Sequence, residues 1–180
     1  MPYYEVNHSL PLTDAQRQSL AQAITKIHAT TFNTPTMFVN VRFVKEDLAQ
    51  GNLFIAGVRE TRTSNIIISY VRTSAARTKA DFDQVAKELE DAWYDVVGKG
   101  AKTSEHPYLV EDPETRLHAI GMLPIVTARE AGFTIPVAGE EAEWIREQLP
   151  VFKQLAGHGG EASFVSLLSE LQSKAGAEKV

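Results

Sequence analysis

The chain has 180 residues, a formal net charge of −5 and no cysteine. That length suits one domain with a sizeable core. The acidic balance disfavours a nucleic-acid or anionic-membrane partner, and the lack of thiols excludes disulfides, a thiolate nucleophile and a cysteine-held metal.

The five histidines have no metal-ligand spacing, no apolar run approaches the ~18 residues of a membrane span, and the start has no signal-peptide pattern. The expectations are a cytoplasmic location and no metal. Pro2 stands directly before the first strand. Trimming of Met1 would leave a secondary amine there. An ordinary α-amino group has a pKa of about 7.7–8.0. Burial and nearby cations would lower it toward neutrality, where an amine both takes and gives a proton.

Tyr3 to Asn7 reads as a short strand closed by His8-Ser9-Leu10-Pro11. Thr13 and Gln16 have capping-box spacing, and Leu20, Ile24, Ile27 and Thr31 predict a helix over 14–32. His28 falls at the edge of that stripe. Met37, Val39, Val41 and Phe43 alternate with polar residues and predict a strand, so the first 43 residues form a right-handed βαβ unit. A short strand is expected within 52–58, and polar turns follow. Residues 65–71, Asn-Ile-Ile-Ile-Ser-Tyr-Val, are apolar on both faces, as a central strand requires. Thr78 caps the next helix, whose stripe is Phe82, Val85, Ala86, Leu89, Trp93 and Val96, and Gly98 stops it. A linker over 99–115 leads to a fourth strand over 116–123. Two βαβ units give a four-stranded sheet with both helices on one face. The other face needs cover, and oligomerisation is the simplest source.

Beyond Pro124 the pattern predicts a short helical segment over 125–131 carrying Glu130, an irregular stretch, a helix over 140–155 and a last amphipathic helix over 163–173. Arg72 and Arg77 flank the loop before the second helix. A cation beside a helix N-terminus is unfavourable unless an anion sits between, and such a place suits a carboxylate. Arg59 and Arg62 compete for that role. Taken singly, His28 reads as an edge histidine and Glu130 as a surface carboxylate. Glu140-Glu141 reads as a solvated face.

Together, several short motifs resemble the tautomerase superfamily, and within it the cis-3-chloroacrylic acid dehalogenase-like group with its fungal-type relatives. They are Pro2, Ala23-Ile24-Thr25-Lys26-Ile27-His28, Gly51-Asn52-Leu53-Phe54 with Gly57-Val58, Arg72, and Glu130-Ala131-Gly132 with Glu143-Trp144. The resemblance covers about residues 2–146. It implies a tautomerase-like domain over 1–148, a C-terminal helical extension over 149–180, and a homotrimer. It also implies Pro2 as general acid or base and Glu130 as activator of water. His28 and Arg72 would hold a substrate carboxylate, with Arg77 the nearest candidate for a second arginine. One departure stands out: Ala119 occupies the place of the dehalogenase tyrosine that works with the glutamate, which puts efficient dehalogenation in doubt.

The reading is therefore a cofactor-independent enzyme acting on small 2-oxo or α,β-unsaturated carboxylic acids. Keto–enol tautomerisation is the main reaction, with hydration or weak cis-3-haloacrylate dehalogenation beside it. The alternative is a non-enzymatic oligomeric protein that binds an anion or partner on the same fold.

Overall fold

The computed structural model describes residues 2–98, 112–158 and 161–177. Strand β1 (Tyr3–His8) turns Tyr4, Val6 and His8 inward. Helix α1 (Asp14–Phe32) starts at Thr13 with the predicted capping box to Gln16. It ends at Asn33, whose φ of 47° is left-handed. Its buried residues are Leu20, Ile24, His28 and Phe32. His28 is thus not at the edge of the helix stripe but on its buried line, 1% exposed.

The second strand starts later than the alternation suggested. Thr36–Phe38 form a single 3-10 turn, and β2 runs Asn40–Lys45. Met37 and Phe38 point instead into a second cluster built with the C-terminal helices. The expected strand within 52–58 is a small hairpin, β3 (Phe54–Ile55) and β4 (Val58–Arg59). Its turn residues Ala56 and Gly57 have φ of 50° and 78°. A two-residue hairpin turn of the type I′ kind needs positive φ at both positions, and glycine adopts it without cost.

Strand β5 (Asn65–Val71) is internal, as its double-faced apolar character requires. Thr78 and Asp81 form a capping box that starts α2 (Lys79–Val97), and Gly98 follows its end. Most of the expected linker, residues 99–111, lies outside the described residues. A 3-10 turn at Pro113–Thr115 leads into β6 (Leu117–Pro124).

The sheet order is β2-β1-β5-β6. β1 pairs parallel with β2, β5 pairs parallel with β6, and β1 and β5 are antiparallel at the centre. Two βαβ units therefore lie side by side. Both helices cover one face, where Tyr4, Val6, Ile67 and Leu117 meet Leu20, Ile24, Val85, Leu89 and Trp93. Ile66, Ile68, Tyr70 and Leu123 alternate with the inward set and remain part-exposed on the other face.

After β6 the expected helical segment over 125–131 is absent. A second hairpin stands there, β7 (Arg129–Glu130) and β8 (Phe133–Thr134). Ala131 and Gly132 turn it, with φ of 48° and 86°, which no right-handed helix accommodates. Helices α3 (Glu141–Gly157) and α4 (Ala162–Ala177) follow. The residue-148 boundary falls inside α3. These helices bury Phe152, Phe164 and Leu167 with Phe38, and part-buried Met37, Phe133 and Trp144 join them. Glu170 of α4 accepts hydrogen bonds from the Thr36 backbone N–H and hydroxyl, at 3.0 and 2.6 Å. The C-terminal helices thus pack against the turn before β2 and the β7–β8 hairpin.

Candidate functional site

Pro2 is buried at the head of β1, and its carbonyl accepts the Asn40 backbone N–H at 3.1 Å. That bond ties the start of the chain to the start of β2. Asn40 also donates from its side-chain Nδ2 to Glu130 Oε1, at 2.8 Å. Glu130 is carried there by β7, so the hairpin that replaces the expected helix places this carboxylate. Its second oxygen, Oε2, is buried without a hydrogen-bond partner among the described residues. Burial pushes the carboxyl above its ordinary value, opposed by the Asn40 bond and by the charge of the amino terminus. A cavity of about 400 Å³ opens beside it, walled by Met37, Leu155 and Phe164 with Asn40 and Glu161.

His28 sits under β1. Its Nδ1 lies 2.7 Å from Tyr4 Oη, and its ring centroid is 4.9 Å from that of Phe32. Burial lowers its pKa to about 3, helped by the charges of Arg77, the amino terminus and Arg72. The imidazole is therefore neutral at neutral pH. Tyr4 is pushed above its ordinary value by burial and keeps its proton.

The two arginines meet. Arg72 leaves the end of β5, and Arg77 directly precedes the α2 cap. Both donate to one oxygen, Glu141 Oε1, each at 2.7 Å. Arg72 also donates to the Pro136 carbonyl at 2.6 Å, and its Nε is buried without an acceptor among the described residues. The Arg77 guanidinium lies over the Phe32 ring, 4.9 Å from its centroid. Glu141 Oε2 accepts the Gly139 N–H at 2.7 Å. Burial works to raise the Glu141 carboxyl. Backbone hydrogen bonding at residue 141, Arg72, Arg77 and the Gly139 N–H outweigh it and hold the carboxyl below the ordinary range. Glu141 is thus not on a solvated face.

The sequence candidates fall into two groups. Arg72, Arg77 and His28 share one electrostatic neighbourhood, while Glu130 belongs to the Asn40 cavity. Arg59 and Arg62 are exposed and lie elsewhere: Arg59 donates to the Ala49 carbonyl, and Arg62 pairs with Glu60 at 3.6 Å. Ala119 is exposed opposite Ile66 on the sheet face away from the helices. Tyr4, Asn40 and Glu141 were not foreseen. Asn40, a polar residue heading an apolar strand, carried the one visible signal. Among the described residues, no group of three or more histidine, aspartate or glutamate side chains converges as metal ligands would. No described helix is long and apolar enough to cross a membrane.

Comparison with known proteins bears directly on this arrangement. Residues 1–148 match the family model Tautomerase_3, "Putative oxalocrotonate tautomerase enzyme". The chain belongs to that family. The crystal structure of native Ps01740 is 28% identical, with a TM-score of 0.52, over 71% of this chain and 99% of that one. A member of the cis-3-chloroacrylic acid dehalogenase family, N1, is 20% identical with a TM-score of 0.57, over 80% of this chain and 90% of that one. A fused 4-OT wild type asymmetric trimer is 16% identical with a TM-score of 0.53, over 73% and 94% of the two chains. The last two likenesses establish the shared fold. Among curated proteins none matches the chain.

Proposed function

We propose that the protein is a cofactor-independent tautomerase in which Pro2, freed by loss of Met1, moves a proton on a small 2-oxo or α,β-unsaturated carboxylic acid. The observation that carries this reading is the position of the chain start. Pro2 is buried, its carbonyl is tied to the Asn40 backbone N–H, and the Asn40 side chain in turn donates to Glu130. Arg72 and Arg77 would hold the substrate carboxylate, and neutral His28 would offer it a ring N–H. Neutral Pro2 nitrogen would take the proton of an enol hydroxyl. The C2–O bond then becomes a carbonyl as the proton is returned to C3. No redox partner is needed, and every proton is returned. In the subsidiary hydratase or dehalogenase reaction, Glu130, once ionised, would take a proton from water as the water oxygen bonds to C3, and Pro2 in its protonated form would give a proton to C2. With a 3-halo acid the resulting halohydrin then loses halide and a proton to leave an aldehyde. The open sheet face supports assembly as a homotrimer.

The test compares three proteins on phenylenolpyruvate: the processed chain, Pro2→Ala, and a form with an uncleavable residue ahead of Pro2. Acylating the nitrogen removes its basicity, so the blocked form should lose about 10²–10⁴-fold, the usual worth of general acid–base catalysis. Pro2→Ala keeps an amine in nearly the same place and should lose less. Equal rates in all three would remove Pro2 from the reaction.

One observation favours the second reading, a non-enzymatic anion- or partner-binding protein. The arginine pair already holds a carboxylate of its own chain. On that reading, none of several enol or haloacrylate acids would turn over in the processed protein.

A further inference from the structure

We infer that Arg72 and Arg77 form a carboxylate-exchange site whose resident ligand is Glu141, and that a small carboxylate enters by replacing it. This rests on the reading above for the identity of the incoming acid, and on geometry for the exchange itself.

The site is built for a carboxylate. The side chains of Arg72, Arg77 and Glu141 are 10%, 8% and 12% exposed. Two guanidinium groups at that depth require a counter-charge. Glu141 supplies it from an awkward angle. One oxygen serves both arginines, the other is drawn off to Gly139 N–H, and Arg72 Nε is left buried without an acceptor among the described residues. A free carboxylate, not tied to a helix, can turn both oxygens to the guanidinium forks and make the paired contacts that arginine favours. Replacing one carboxylate by another also keeps both cations compensated. A neutral ligand would leave them unpaired, so the exchange selects for an anion.

The chain around Glu141 permits its release. Glu141 is the first residue of α3, and its N-cap, Glu140, makes no side-chain capping bond. Gly139 before it has a φ of 101°, with open space where a side chain would stand. One turn later Trp144 packs into the aromatic cluster, 5.7 Å from the rings of Phe38 and Phe152. Rotation of the Glu141 side chain with a hinge at residues 139–140 would therefore free the arginines while α3 stays anchored. The displaced carboxylate remains in the first turn of a helix, where negative charge is favoured. Glu141 thus acts as a tethered competitor and sets which ligands enter.

Glu141→Gln tests this. Glutamine keeps the size and one acceptor oxygen but gives up the charge. Pyruvate titrated calorimetrically into the full chain should bind this variant about tenfold more tightly than wild type, the low end of what one charge-assisted bond is worth. Equal or weaker binding by a variant that unfolds cooperatively would overturn the exchange and make the ion pair structural. Should Glu141→Gln fail to fold, the wild type carries the test. With 13C at the glutamate side-chain carboxyls, the Glu141 resonance should move saturably toward that of an exposed glutamate as pyruvate is added. No movement at saturation, or no saturable binding, would overturn it. Binding is read calorimetrically and by NMR, without turnover. Failure of the exchange is therefore separable from failure of Pro2 catalysis.

Discussion

Tyr4 Oη and His28 Nδ1 lie 2.7 Å apart and join β1 to α1 inside the layer between sheet and helices. Both groups are buried and neutral at neutral pH. When the phenol donates, the imidazole proton is fixed on Nε2, the form that offers an N–H to an anion.

This pair sets a pH dependence of stability. Burial lowers the His28 pKa to about 3 in the folded chain, from the ordinary 6.5. Between those values the unfolded chain binds more protons, so stability falls as pH drops below 6.5 and is fully present above it. The slope from this one group approaches about 1.4 kcal/mol per pH unit. Urea unfolding between about pH 7 and pH 5 should show it, above the ordinary carboxylate range. The His28→Gln variant should flatten the slope. A wild-type curve that is level over this window would mean that His28 takes up its proton in the folded state.

Substitution of Asn40 would separate the two proposed reactions. The Asn40 Nδ2 is the hydrogen-bond donor to a carboxylate whose other oxygen has no partner among the described residues. In Asn40→Ala the buried Glu130 carboxyl loses that bond and should titrate still higher, leaving less of it ionised to activate water. On the proposed function, hydration or dehalogenation of cis-3-chloroacrylate should fall about tenfold, the scale of one lost bond to a charged group. Ketonisation of phenylenolpyruvate should stay within about twofold, because the Asn40 bond to Pro2 comes from its backbone. Equal losses in both assays would show that Asn40 serves the chain start rather than Glu130.

The open sheet face supports the proposed assembly. Ile66 and Ile68 are only half-buried there, and Tyr70 and Leu123 are 39% and 42% exposed. The C-terminal helices pack against the β7–β8 hairpin and the turn at Thr36–Phe38, so they are not the cover. Sedimentation equilibrium should find a trimer at micromolar concentration. Ile68→Lys should shift it to monomer with helical content retained, since a buried lysine at an interface lacks a counter-charge. A monomeric wild type would mean that this face meets water in the native protein.

Local chemistry made much of the fold legible. Thr13 with Gln16 and Thr78 with Asp81 start their helices through contacts three residues apart, and both boxes form as the spacing requires. The run at 65–71 is apolar on both faces because it is an inner strand, and no other information was needed. The two-unit sheet and the terminal helices follow from such periodicities. The Ala56-Gly57 and Ala131-Gly132 turns were not legible, because alanine disguises a position that needs positive φ. Met37 and Phe38 left the strand pattern because phenylalanines more than 110 residues away claim them. The site shows the same limit. Its candidates Pro2, His28, Arg72, Arg77 and Glu130 stand out by type and resemblance, but their partners do not. Asn40 is 90 residues from Glu130, and Glu141 is 69 and 64 residues from the two arginines. A carboxylate in a Glu-Glu pair looks solvated in the sequence. Only the tertiary fold, by burying two guanidinium groups beside it, decides that it is bound.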